Sequence, residues 1–251
     1  MKIKKFLFVI TTMFLMVQGA SAWNGSGSSG DPYLIASPAD WETFATSTDE
    51  YSDTFFKLTA DITVTTMRTE TFSGTFDGGG HTLTFNYTAT GNNAAPFAYI
   101  TGATIKNLRV AGTINTGYKF AAGIAAECGT TTITNCQSSV TINSSVDGDG
   151  THGGLIGCQS SGTLTINSCL FDGELMGAKT TGCGGFVGWV TNIQATTLTS
   201  PIRSLRRQIL LLKPPLSAVI KVVHSILKLV PATTLPPIGL PLPFKAPMPA
   251  A

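Results

Sequence analysis

Short apolar stretches alternate with polar turns along the chain, and the alternation repeats. The word Gly154-Leu155-Ile156-Gly157 returns as Gly185-Phe186-Val187-Gly188, 31 residues later, and a degenerate copy, Gly123-Ile124-Ala125-Ala126, stands 31 residues earlier. A second word keeps step: Ile105-Lys106-Asn107-Leu108, Ile133-Thr134-Asn135-Cys136 and Ile166-Asn167-Ser168-Cys169, spaced by 28 and 33. Six positions after each Leu or Cys comes an aliphatic residue: Ile114, Ile142 and Leu175. A period of this size describes one small unit stacked on itself, too thin to bury its apolar face alone. The expected core is therefore a set of columns, Leu108 over Cys136 over Cys169 and Ile114 over Ile142 over Leu175. The apolar runs are short and rich in Thr, Val and Ile, and the turns carry Gly and Asn, which is strand and turn chemistry. Turn-sized spacers leave no room for crossover helices. The pattern predicts an all-β chain wound as a right-handed parallel β-helix. An antiparallel β-sandwich or barrel is the runner-up, because evenly spaced short strands also permit it.

Parity refines the picture. Leu108 and Val110 share one face of a strand, while Ile105 has the opposite parity. A bend must fall between them if all point inward. Asn107 and its mates Asn135 and Ser168 stand there, residues that tolerate a turn conformation. Upstream, Asp31 to Ile35 reads as a strand. Ser37-Pro38-Ala39-Asp40 reads as a helix start, with Ser as N-cap, Pro at the first helical position and an acid at the third. The spacing of Trp41, Phe44 and Ala45 predicts a helix from Pro38 to about Thr48, covering the open first coil. Phe55 to Ile62 reads as one strand. Thr71–Phe76 and Thr82–Phe85 read as strands about a tight reversal at Asp77-Gly78-Gly79-Gly80-His81.

The two ends of the chain depart from this body. Lys2, Lys4 and Lys5, then an apolar run from Phe6 to Val17, then Ala20-Ser21-Ala22 have the form of a secretory signal peptide, residues 1–22. It is too short for a membrane anchor. An exported mature chain from Trp23 is expected, with residues 23–50 as lead-in and capping segment and 51–200 as the repeats. The formal net charge of +2 hides a division. Residues 23–200 hold 14 acidic and six basic residues, whereas 201–251 hold seven basic and no acidic ones. An acidic body without a basic stripe excludes nucleic acid as a partner. Ten of the 13 prolines fall in 201–251. Thr197-Leu198-Thr199 reads as the counterpart of Thr163-Leu164-Thr165, which sets Ser200 at the place of Ile166 and Pro201 at that of Asn167. Proline has no N–H for a sheet ladder. The tail is read as out of frame, or irregular. The genomic sequence past Ser200 would then resume the repeat in another frame. In the rival reading, Leu216–Val230 is an amphipathic helix lying on an anionic membrane.

Gly154-Leu155-Ile156-Gly157 resembles the GLUG motif of secreted and surface proteins of Bacteroidetes-type bacteria. The words Asp31–Ile35, Lys57-Leu58-Thr59-Ala60-Asp61-Ile62, Gly74-Thr75-Phe76-Asp77-Gly78 and Ala103–Leu108 resemble the same proteins, so the resemblance covers about Trp23 to Ser200. It implies an adhesin-like, exported right-handed β-helix and no catalytic residue set.

Candidate chemistry is sparse. A β-helix polysaccharide lyase or glycoside hydrolase needs paired carboxylates on one cleft. Asp172 and Glu174, two apart and so on one strand face, are the candidate acidic patch, but their repeat mates are Ser139 and Thr141. Asp147 and Asp149 read as a polar turn or a loose calcium site. His81 and His152 read as surface turn residues. Trp189 reads as packing or as a platform for a sugar ring. Of the five cysteines, Cys136 and Cys169 share a repeat position. They read as small buried thiols or as a disulfide between coils. No cofactor or metal is implied. The expected function is a non-enzymatic surface stalk presenting a Thr/Ser/Asn-rich face to a host surface or glycan. Self-association through an uncapped C-terminal end is also expected.

Overall fold

The computed structural model describes residues 23–191 and the backbone of Thr196–Thr199. The expected signal peptide and the proline-rich tail lie outside the described residues. Within them, each complete coil visits four sheets in turn. From Phe97 the chain runs through strands Phe97–Ile100, Ala103–Lys106, Arg109–Ala111 and Thr113–Thr116, then begins again at Ala125–Cys128. The next coils follow the same course through Ile156–Gln159 and Val187–Val190. Neighbouring coils pair strand on strand, giving one seven-stranded, one five-stranded and two four-stranded sheets, with a two-stranded ladder besides. Every named strand pair is parallel. This is a right-handed parallel β-helix, and the antiparallel sandwich is excluded.

The register stacks like on like. Ile105, Ile133, Ile166 and Leu198 align, with Phe76 before them. Ile114, Ile142 and Leu175 align on another sheet. Gln137 faces Arg109 and Leu170, so Leu108, Cys136 and Cys169 occupy successive rungs just before them. Their side chains merge into one core. Leu175 is the exception in degree, half-buried where its mates are fully covered. The pairing of Leu198 with Ile166 corrects the sequence alignment by two residues: Leu198 stands at the register position of Ile166.

Bends separate the sheets where parity required them. Asn107, Asn135 and Ser168 have φ of 52°, 53° and 52°, the left-handed region that asparagine tolerates. Asn135 Nδ2 donates to Asn107 Oδ1 at 2.8 Å, and Asn107 Nδ2 donates to Asp77 Oδ1 at 2.9 Å. Asn135→Val should cost about 2 kcal/mol in urea unfolding, since a β-branched side chain resists this φ, whereas Asn135→Gly should cost under about 1 kcal/mol.

Two expected elements change form for the same reason. Phe55–Ile62 is two strands, Phe55–Leu58 and Ile62–Val64, lying in different sheets around a corner. The glycine-rich Asp77–His81 is likewise a corner rather than a reversal, for Thr75–Asp77 and Thr82–Phe85 belong to different sheets. The local signal said that the chain turns. Which strand it then meets is set by the coil below.

The helix spans Pro38–Thr46, ending two residues early. Ser37 Oγ accepts the Asp40 N–H at 3.2 Å, and Asp40 Oδ2 accepts the Ala36 N–H at 2.9 Å. The arrangement differs from a capping box in that Asp40 reaches back to the Ala36 N–H, one residue before the cap. Trp41, Phe44 and Ala45 are buried, closing the first rung among the rings of Phe56, Phe72, Phe76 and Phe97. Large rings fill the core at the capped end, and aliphatic and small residues fill it beyond.

The repeated Gly-x-x-Gly words enter a four-stranded sheet whose outer side is also covered. Leu155 and Ile156 are both fully buried in the core. A Cβ on Gly157 would stand 2.5 Å from the Ala126 carbonyl and 3.3 Å from the Phe120 backbone. Segments before each strand fold over it as a second layer, tied rung to rung by bridges from Ala122 to Gly153 to Gly184. Ala95, Ala122 and Ala126 form a small second cluster beneath Phe120. Asn93, Phe120, Thr151 and Gly182 reach these turns with φ of 71°, 64°, 49° and 72°. The degenerate copy ending in Ala126 keeps its place because small residues still fit there.

Candidate binding face

The outward side chains of the seven-stranded sheet form two columns. One is Thr75, Thr104, Thr132 and Thr165, aligned by strand pairing over four rungs, and the backbone of Thr197 is next in register. The other is Lys57, Asp77, Lys106, Thr134 and Asn167, with the backbone of Thr199 next in register. Alternation puts these residues outward because Phe76, Ile105, Ile133 and Ile166 between them are buried. Parallel rungs set a grid of about 4.8 Å by about 7 Å. The second column is charged near the capped end, where Lys106 Nζ lies 3.5 Å from Asp77 Oδ2, and neutral beyond it.

Amide ladders continue this uncharged surface. Besides the Asp77–Asn107–Asn135 chain, Asn143 Nδ2 donates to Asn115 Oδ1 at 2.9 Å. Burial works against the Asp77 carboxylate, but the bonds from Asn107 Nδ2 and the Gly79 N–H, with Lys106 alongside, hold it below the usual range. A groove of about 190 Å³ follows the Asn107–Asn135 corner, bordered by Arg109, Gln137 and Leu170. A larger one of about 370 Å³ runs along Thr88, Asn115, Asn143 and Ser145. Such surfaces offer neutral donors and acceptors at fixed spacing, with Arg109 the one charged side chain in these two linings.

The acidic side chains do not gather. Asp172 and Glu174 are not on one strand: Leu170–Phe171 ends before Asp172, and Glu174–Met176 begins a different sheet after Gly173. Their mates are Ser139 and Thr141, as the repeat spacing implies. Asp172 Oδ2 accepts from Gln137 Nε2 at 3.0 Å, and Glu174 is exposed. Asp61, Asp77, Asp147 and Asp149 each lie beside a base: His81, Lys106, Lys179 and Lys119. Lys119 and Thr151 hold Asp149 below its ordinary range. Among the described residues, no group of three His, Cys, Asp or Glu side chains could hold a metal; Asp147 and Asp149 lie 3.0 Å and 2.7 Å from the ammonium groups of Lys179 and Lys119. Trp189 faces solvent, 59% exposed.

His152 was expected at the surface and is buried, 1% exposed. The covering layer encloses it, which a turn motif alone could not reveal. Its Nε2 lies 2.9 Å from Ser144 Oγ, the distance of a nucleophile and its base. The other ring nitrogen decides against that role. Nδ1 accepts the Ala121 N–H at 3.1 Å, so the proton sits on Nε2 and points at Ser144, and the ring cannot take the serine's proton. Burial pulls the imidazole down to about 4, against the opposing pull of Asp149. The unfolded histidine titrates near 6.5, so between pH 6.5 and 4 the unfolded chain binds the extra proton and stability rises with pH. On the order of 2 kcal/mol should be present above pH 6.5 and lost as pH falls to 4. Urea unfolding of His152→Asn across this window should show a flatter slope than the parent chain, and equal slopes would remove His152 as the cause.

No family model matches this chain, and no curated protein matches it. Among solved structures it is similar to one described as a "putative immunoglobulin A1 protease" from Bacteroides ovatus, at 17% identity and a TM-score of 0.47. The match covers 67% of this chain and 64% of that one, so the chain spans less than two thirds of that structure's length. Among the described residues, no helix is long and apolar enough to cross a membrane.

Proposed function

We propose that this chain is an exported, non-enzymatic β-solenoid of a bacterial surface protein. In this reading it is a GLUG-type, adhesin-like stalk whose neutral polar face binds a host surface or a glycan. The threonine column of the seven-stranded sheet carries the reading. Its hydroxyls recur on every rung from Thr75 to Thr165 with no charge among them. A polyhydroxylated polymer can exchange water for such a row at little desolvation cost, whereas a buried charge would be expensive to cover. The rival reading, a β-helix lyase or hydrolase, needs two carboxyls on one cleft. Asp172 and Glu174, its candidates, open onto different sheets.

The test is a glycan and host-surface binding panel with the mature chain, beside Thr104→Glu/Thr132→Glu/Thr165→Glu. The parent chain should bind at least one neutral glycan, and the triple variant should lose at least tenfold in affinity while keeping its circular dichroism. Absence of binding by the parent chain would overturn the binding role. New reducing ends or unsaturated products from a polysaccharide panel would overturn the non-enzymatic one.

A further inference from the structure

Leu108, Cys136 and Cys169 each follow a left-handed corner residue, Asn107, Asn135 or Ser168, on successive in-register rungs. The two cysteines are each 2% exposed, and no disulfide joins them in this structure. Each sulfur approaches carbonyls on its own rung and the one before. Cys136 Sγ is 3.3 Å from the Thr134 oxygen and 3.7 Å from that of Ile105, and Cys169 Sγ is 3.2 Å from Asn167 and 3.7 Å from Ile133. The pair is thus held in the same orientation twice, one sulfur above the other.

Parallel rungs about 4.8 Å apart fall inside the roughly 4.4–6.8 Å between Cα atoms that a disulfide accepts. The remaining cysteines lack this relation. Cys128 stands opposite Gln159 and Cys158 opposite Glu127, one register position apart and so on opposite sides of their strands. Cys183 is exposed. The corner groove bordered by Arg109 and Gln137 is also lined by Cys136.

We propose that Cys136 and Cys169 are an oxidisable pair that closes into a disulfide joining successive coils. A disulfide-bearing oxidant supplies the chemistry. One cysteine thiolate attacks it and releases one external thiol, and the second displaces the other. Two cysteine S–H groups and one external disulfide become one protein disulfide and two external thiols, with two electrons passing to the oxidant. The bond restrains the unfolded chain between residues 136 and 169, so the oxidised helix should be the more stable form.

The full chain, purified reduced, would be incubated folded with oxidised glutathione. Its thiols would then be counted with a maleimide after denaturation. Three thiols should remain of five. A digest at Asp and Glu with fragmentation should place the bond between Cys136 and Cys169, and the thermal midpoint should rise by several degrees and fall back with dithiothreitol. Cys136→Leu, which restores the residue type of Leu108 at this position, should keep four thiols and show no shift. Five thiols in the oxidised parent chain, a bond between any other pair, or a lowered midpoint on oxidation would overturn the proposal. The mapping needs no variant, and no outcome depends on what the face binds.

Discussion

Arg68→Ala should lower the free energy of unfolding by about 4 kcal/mol, because it empties a fully buried cationic site and strands the carbonyls around it. Arg68 is 0% exposed and contacts no carboxylate oxygen among its hydrogen-bond partners. It binds carbonyls instead. Nη1 donates to Phe44 at 2.6 Å and to Ser47 at 3.5 Å, and Nη2 donates to Asp49 and, at 3.3 Å, to Thr71. The Phe44 carbonyl belongs to the last turn of the helix, where no further helical N–H is available and a cation is favoured. The guanidinium also lies 4.7 Å from the Phe44 ring centroid and 5.0 Å from that of Tyr51. Burial pulls its pKa down, yet an arginine stays charged. One side chain therefore fastens the cap to the first coil. Arg68→Met, which fills the space without the donors, should recover about half of the loss. Urea unfolding measures both, and a loss below about 1 kcal/mol for Arg68→Ala would remove this role.

Gly154→Val should cost about 3 kcal/mol or more, by overpacking against atoms that cannot retreat. A Cβ at this position would stand 2.1 Å from the Gly185 carbonyl oxygen and 2.3 Å from the Phe171 ring. That carbonyl belongs to the equivalent glycine one coil further on. The coils are tied here by Gly154 N–H to the Gly184 oxygen at 3.0 Å and Leu155 N–H to the Phe186 oxygen at 3.1 Å, so relief would break ladder bonds. Gly30→Ala makes a control, since nothing lies within 4 Å of its Cβ position, and it should shift stability by under about 0.5 kcal/mol. Thermal unfolding of the two variants side by side checks the contrast.

These two residues were unequally legible. Gly154 belongs to a word repeated at a fixed interval, and the reason for its lack of a side chain is the next copy of the same word. A repeat carries its own contacts in its spacing. Arg68 belongs to no repeat and lies in an early, incomplete coil. Nothing nearby in sequence marks it as buried, because three of its carbonyl partners come from the end of the helix and the segment after it, 19 to 24 residues earlier. His152 was misread for a related cause. Its turn is polar, but a second layer of chain covers it, and that layer is visible only when the coils are stacked. The strand signal in Asp172-Gly173-Glu174 failed at a corner, where two residues of equal parity separate onto different sheets.

The sequence by itself determined the stacked architecture, the parallel pairing and the bends at Asn107, Asn135 and Ser168. These follow from periodicity and parity, which are local properties repeated often enough to be read without coordinates. Tertiary structure alone decided how each coil divides among four sheets, which threonines share a column, which nitrogen of His152 carries its proton and what surrounds Arg68. Those depend on register to within one residue and on segments that meet from distant parts of the chain. A one-residue slip turns an inward side chain outward, so the period predicts that rungs exist, and only packing of the large rings beneath the helix fixes where each begins.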